Sequence, residues 1–130
     1  ELIKKLSSAI LKYSSSDSKT IKISTTGDKV LINADTASSV MLVINELLSN
    51  SLEHGFRTKK SGNIDIRVSN EEVFAIFTIT DDGDGFQQKT NFESLGLNIV
   101  KAIVKDKLNG KIRIHSSKSG TVTEFSIKLK

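Results

Sequence analysis

The sequence predicts a two-layer α+β sandwich, with a mixed, mainly antiparallel sheet covered on one face by three helices. Three observations lead there. Short stretches of apolar–polar alternation come in sequential pairs, the pairs are separated by segments with helical periodicity, and the order is helix, two strands, helix, two strands, helix, two strands. That order argues against a doubly wound parallel sheet, where single strands and helices alternate.

The first helix is "ELIKKLSSAILK", with Leu2, Ile3, Leu6, Ala9 and Ile10 at helical spacing. "YSSSDSKT", residues 13–20, is a polar loop. "TIKIS" and "KVLIN" are predicted strands flanking a hairpin turn at Thr25-Thr26-Gly27-Asp28. Asp35 is the expected cap of the second helix, which should run to about His54 and stop at Gly55. "NIDIRVS" and "VFAIFTIT" alternate and are joined tightly through Ser69 to Glu72. The second of these runs straight into "DDGDGF". After a short loop from Gln87 to Glu93, Ser94 is the expected cap of a third helix of about 14 residues ending at Asn109-Gly110. "KIRIHSS" and "TVTEFSIKLK" form a last strand pair.

Composition narrows the class. The chain has 130 residues, enough for one domain, with no cysteine and no proline. Disulfides and thiolate metal sites are therefore excluded, which fits a cytoplasmic setting. No apolar run approaches the roughly 20 residues of a membrane span. The net charge of +4 comes from scattered lysines without interleaved aromatics, so a solvated surface is expected and a nucleic-acid partner is not. The chain opens on Glu1 rather than methionine and reads as a piece excised from a longer protein.

Three stretches carry chemistry. On the helix "VINELLSNSLEHGF", Val40, Ile44, Leu47, Leu48 and Ser51 fall on one arc at ~100° per residue. Glu46, Asn50 and His54 drift by only about 40° per four-residue step, making a polar line along the edge of that arc. Polar groups bordering a core cost free energy unless partnered, so the line reads either as solvated helix edge or as the lining of a cavity for a polar ligand. In "ITDDGDGF" a strand ends in a carboxylate, a fixed acceptor, followed by alternate glycines that admit close approach to backbone. Asp82, Asp84 and Glu93 match three places of an EF-hand loop, but Phe86 and Gln87 stand where a ligand and glycine are required and a strand precedes the loop, so calcium is rejected. "ESLGLNIVKAIV" opens a helix whose first N–H groups suit an anion. Neither a dinucleotide fingerprint nor a P-loop occurs.

Together "NELLSNSLEH", "DDGDGF" and "SLGLNIV", in this order and spacing, resemble the N, G1 and G2 boxes of the Bergerat-fold (GHKL) ATPases. Within that superfamily the chain is most similar to the catalytic ATP-binding domain of two-component sensor histidine kinases of the HisKA_2 or HWE-like type, including its close, "LNGKIRIHSSKSGTVTEFSIKL". The resemblance covers the chain from about Asp35 onward. It implies one domain over residues 1–130, with residues 1–20 leading in from an upstream dimerisation and phosphoacceptor segment.

The resemblance also implies roles. Asn50 would ligate Mg²⁺ bridging the ATP phosphates, and Glu46 would act in catalysis by orienting or deprotonating the attacking group. Asp81 would accept from the adenine amine. Gly83 and Gly85 would line the base, and Gly96 and Leu97 would lie beside the phosphates. His54 would border them. Thr123 would support the adenine site, with Thr121 as the competing match. Glu53 stands where these kinases often have lysine, and Ser94 replaces a glycine.

The implied activity is transfer of the γ-phosphoryl of Mg-ATP to a histidine outside this chain, since neither His54 nor His115 sits on a helix suited to presenting an acceptor. Implied partners are the upstream acceptor domain and a response-regulator receiver domain, with a homodimeric full-length protein that a membrane anchor would suit and a monomeric isolated domain. An anti-sigma-factor-type serine kinase and a non-catalytic nucleotide-binding module are the alternatives.

Overall fold

Five strands form one sheet in the order β1-β2-β3-β5-β4. The computed structural model describes residues 20–56, 60–85 and 97–129, without the side chains of Thr20, His54 and Gly55. Strand β1 is Thr20–Gly27, β2 Ser61–Asn70, β3 Phe74–Asp81, β4 Ile112–Ser117 and β5 Gly120–Lys128. Helix α1, Ala34–Asn50, continues into a π-helical turn over Ser51–Gly55, and α2, Asn98–Ala102, into another over Ile103–Lys107.

The two-layer α+β arrangement is as expected. The sheet is mixed: β1 runs parallel to β2, and the other three pairings are antiparallel. The helix layer holds two helices among the described residues, where three are predicted. The remaining predicted helix, at the start of the chain, lies outside the described residues, as does Ser94.

The first predicted hairpin does not form. Strand β1 continues through Thr25-Thr26-Gly27 in register with Ile66, Arg67 and Val68, and "KVLIN" is not a strand. A parallel pair requires a crossover connection, and residues 28–33 are its first leg. Asp28 N–H donates to Val68 O at 2.8 Å, and the Asp28 carboxylate accepts from Asn70 N–H at 2.8 Å. The connection is thereby held to the end of β2 rather than folded back along β1. Its alternation survives in a different use, with Val30 and Ile32 packed on the core and Leu31 98% exposed.

Helix α1 starts two residues earlier than the sequence suggests. Asn33 is its cap, its Oδ1 accepting from Thr36 N–H at 2.8 Å. Asp35 sits in the first turn, where a carboxylate meets the positive end of the helix dipole. At the other end Gly55 stays inside the last helical turn, and the chain leaves at Phe56, whose fully buried ring lies against Gly62. Helix α2 ends as expected: Asn109 is left-handed at φ 51°, and Gly110 N–H donates to Val104 O.

One face of the sheet is covered. Ile64, Ile66 and Val68 of β2, Ala75, Phe77 and Ile79 of β3, and Phe125 and Ile127 of β5 are buried beneath the helices. The arc of α1 read from the sequence supplies Val40, Ile44, Leu47 and Leu48, with Val43 beside them; α2 adds Val100, and the turn after it Val104. At the centre the rings of Phe77 and Phe125, directly paired across β3 and β5, stack at 4.9 Å and 4°. Such a pair adds about 0.5–1.5 kcal/mol beyond its buried area. The Arg113–Glu124 ion pair, 2.8 Å long on the open face, contributes about 1 kcal/mol at most because both side chains are solvated.

Candidate functional site

The burial alternation of β3 runs Ala75, Phe77, Ile79 and then Asp81. A carboxylate therefore occupies the place of the next core side chain, and only 3% of Asp81 is exposed. A buried carboxylate requires hydrogen-bond donors, and three segments supply them. Oδ1 accepts from Gly83 N–H at 3.1 Å and Thr121 N–H at 3.2 Å. Oδ2 accepts from the Ser51 hydroxyl at 3.0 Å. Burial pushes the Asp81 carboxyl above its ordinary value of 3.8, these three donors pull it back, and neighbouring Asp82 adds a smaller upward push.

The loop after β3 is braced on both sides. Asp82 N–H donates to Asn63 O, and the Asp82 carboxylate accepts from Asn63 N–H at 2.7 Å and Asn63 Nδ2 at 3.0 Å. At Gly85 the backbone is left-handed, φ 78°, and a Cβ would collide with Ser117 O. The turn between β4 and β5 thus closes directly on the loop. Gly120, φ 134°, lies against Asp81 O with no room for a side chain.

The helix supplies the facing wall. Asn50, 6% exposed, precedes Ser51, so the Ser51–Asp81 bond brings the end of α1 to the end of β3. Asn50 Nδ2 donates to Glu46 O at 2.9 Å, which turns the amide oxygen away as the remaining acceptor. Glu46, one turn earlier, is exposed, whereas Leu97 is buried at the start of α2. The polar line of the sequence is therefore graded, from a solvated carboxylate at Glu46 to a buried amide at Asn50. His54 follows in the π turn; its side chain and Gly96 lie outside the described residues.

The family profile of histidine kinase-, DNA gyrase B- and HSP90-like ATPases matches residues 35–130. The chain belongs to this ATPase family. Over 104 residues this ATPase domain is 32% identical to sensor histidine kinase PdtaS of Mycolicibacterium smegmatis, covering 77% of the chain and 21% of that kinase. It is 29% identical over 115 residues to blue-light-activated histidine kinase 2 of Erythrobacter litoralis, covering 84% and 32%. The domain thus spans between a fifth and a third of the length of these relatives.

Among solved structures, the Erythrobacter litoralis EL346 blue-light-activated histidine kinase superposes with a TM-score of 0.85 at 27% identity, over 98% of this chain and 40% of that one. Histidine kinase ThkA, in complex with response regulator protein TrrA, gives 0.75 at 21% identity over 99% and 40%, a likeness of fold.

Of the residues read from the sequence, the structure groups Asn50, Asp81, Gly83 and Gly85 at one end of the sheet. Thr123 lies on the same face of β5 but one pleat further on, paired with Ile79 and Ile114. Thr121, the competing match, is opposite Asp81, and its hydroxyl bonds Ser116 Oγ at 2.8 Å. The sequence groups Ser51 with the apolar arc, and the signal that sets it apart is being the one hydroxyl among four aliphatic residues.

Proposed function

We propose that this ATPase domain is the catalytic ATP-binding domain of a sensor histidine kinase, and that it holds Mg-ATP and delivers the γ-phosphoryl to a histidine outside the chain. The observation that carries the reading is the buried Asp81 carboxylate. It is fixed by donors from three segments and keeps one acceptor position on Oδ2 for the exocyclic amine of adenine. Thr121, through its backbone N–H, serves the base end of the pocket in preference to Thr123. Gly83 and Gly85 let the base pass close to the main chain.

The residues fit a magnesium ion carried in with the nucleotide. Among the described residues no three His, Asp or Glu side chains could hold a metal by themselves. Mg²⁺ commonly binds through one or two protein oxygens plus substrate phosphates, and the Asn50 amide oxygen is such a donor. The ion supplies charge neutralisation of the phosphates. Glu46, exposed one turn away, would orient the attacking imidazole. By the family resemblance, His54, Gly96 and Leu97 would border the phosphates. Catalysis rests on positioning and electrostatics, as phosphoryl transfer allows.

The acceptor histidine would lie on an upstream dimerisation segment reached through residues 1–20. A response-regulator receiver domain would take the phosphoryl onward. A domain that uses ATP in this way would work in the cytoplasm. The test is a calorimetric titration of the chain with a non-hydrolysable ATP analogue, with and without Mg²⁺. A dissociation constant from about 1 μM to 1 mM, equivalent to about −8 to −4 kcal/mol, tightened by Mg²⁺, is expected; a flat titration refutes the reading.

A further inference from the structure

We propose that Ser51 is a specificity-determining positioning residue of the nucleotide pocket, one that holds Asp81 Oδ2 in place to select a purine bearing an amino group at C6. The inference rests on the ATP-binding reading and deepens it.

The hydrogen-bond inventory of Asp81 carries the assignment. A carboxylate oxygen has two lone-pair directions. Oδ1 spends both, on Gly83 N–H and Thr121 N–H. Oδ2 spends one, on the Ser51 hydroxyl at 3.0 Å. The direction left for a ligand therefore belongs to Oδ2, and Ser51 is the side chain sharing that oxygen. Without the hydroxyl the two backbone donors would still hold Oδ1, but the carboxylate could pivot about that oxygen and Oδ2 would lose its fixed direction.

The backbone at Ser51 is built for this placement. Ser51 is where α1 widens into its π turn, and its own N–H is shared between Leu47 O and Leu48 O. Such local π insertions recur at functional sites because they re-aim one side chain out of helical register. The residue is 5% exposed and lies on the arc that otherwise delivers Val40, Ile44, Leu47 and Leu48 to the core. A hydroxyl there costs free energy unless it is partnered, and its partner in the structure is the acid that would read the base.

Its donation to Oδ2 also fixes the polarity of the base-reading edge. With the hydroxyl hydrogen committed to the carboxylate, that edge offers acceptors. A 6-amino purine presents a donor to it, whereas a 6-keto purine would set oxygen against oxygen.

The experiment measures binding of ATP and of purine riboside 5′-triphosphate, which lacks the 6-amino group, to the parent chain and to Ser51→Ala, each with Mg²⁺. The expected result is ATP binding weakened about tenfold by Ser51→Ala, the scale of one hydrogen bond to a charged group. Binding of the purine riboside triphosphate should change by less than about twofold, a difference that general loosening of the helix would not produce. In an Asp81→Asn background Ser51→Ala should have no further effect on ATP binding. If Ser51→Ala does not fold, as judged by its melting curve, Ser51→Cys keeps a similar volume with a weaker donor and should give the same pattern. Equal losses for both nucleotides, or no loss for ATP, overturn the Ser51 assignment alone. A parent chain that binds neither nucleotide overturns the ATP reading and this inference with it.

Discussion

Replacing Asp81 by asparagine changes one buried oxygen, and the hydrogen bonds decide which one. Gly83 N–H and Thr121 N–H both point at Oδ1, so the amide must present its own oxygen to them. The NH₂ group is then forced into the position of Oδ2, beside Ser51 and facing the ligand. The adenine amine loses a hydrogen bond to a charged acceptor, about 1.5–3 kcal/mol, and meets a donor instead. The combined loss is about 2–4 kcal/mol, or roughly 30- to 1,000-fold in affinity.

Stability should move the other way. Because burial raises the Asp81 carboxyl above its unfolded value, its protonated form favours folding at low pH. That contribution is lost as pH rises through the raised value. Asp81→Asn has no such loss, so its melting temperature relative to the parent should climb between about pH 4 and pH 7. Calorimetry with Mg-ATP analogue and melting curves at both ends of that window measure the two effects. An asparagine variant that binds ATP within twofold of the parent, or whose relative stability falls as pH rises, refutes the reasoning.

Asn50→Ala should remove the enhancement of ATP binding by Mg²⁺ while leaving weak metal-free binding, read as equal dissociation constants with and without the ion. Gly85→Ala should cost about 1–3 kcal/mol of stability, because φ 78° and contact with Ser117 O both oppose a Cβ; chemical denaturation measures it. Phe77→Ala, which empties one half of the central ring stack, should cost about 3–5 kcal/mol, with ligand-free melting as the assay.

The strands from β2 onward were legible because their alternation has one meaning: each buried side chain in the pattern has a neighbour on the next strand. Asp81 was legible for the same reason, as an acid at the point where an apolar series should have continued. The parallel pairing of β1 was not. Alternation is the same for either strand direction, and Thr25-Thr26-Gly27-Asp28 has the composition of a hairpin turn. What decides is the tether of residues 28–33 to Asn70, a contact across 42 positions. Asn33 and Asp35 are both good caps, and what distinguishes them is the extended backbone of Asn33 and its side-chain bond to Thr36 N–H. Ser51 was hidden because a lone serine on an aliphatic arc says nothing of its partner.

The three chain segments that meet at Asp81 lie far apart along the polypeptide. Ser51 is 30 positions before it and Thr121 is 40 after. No stretch shorter than residues 51–121 contains all three, so recognition of a purine should emerge only when β5 has paired with β3 and the end of α1 has docked beside them. Occupancy and global integrity are consequently one equilibrium: a ligand held at a hundred times its dissociation constant adds about 2.7 kcal/mol to resistance against unfolding. A shift in melting temperature on titrating nucleotide would therefore report assembly of the whole sandwich as well as filling of its pocket.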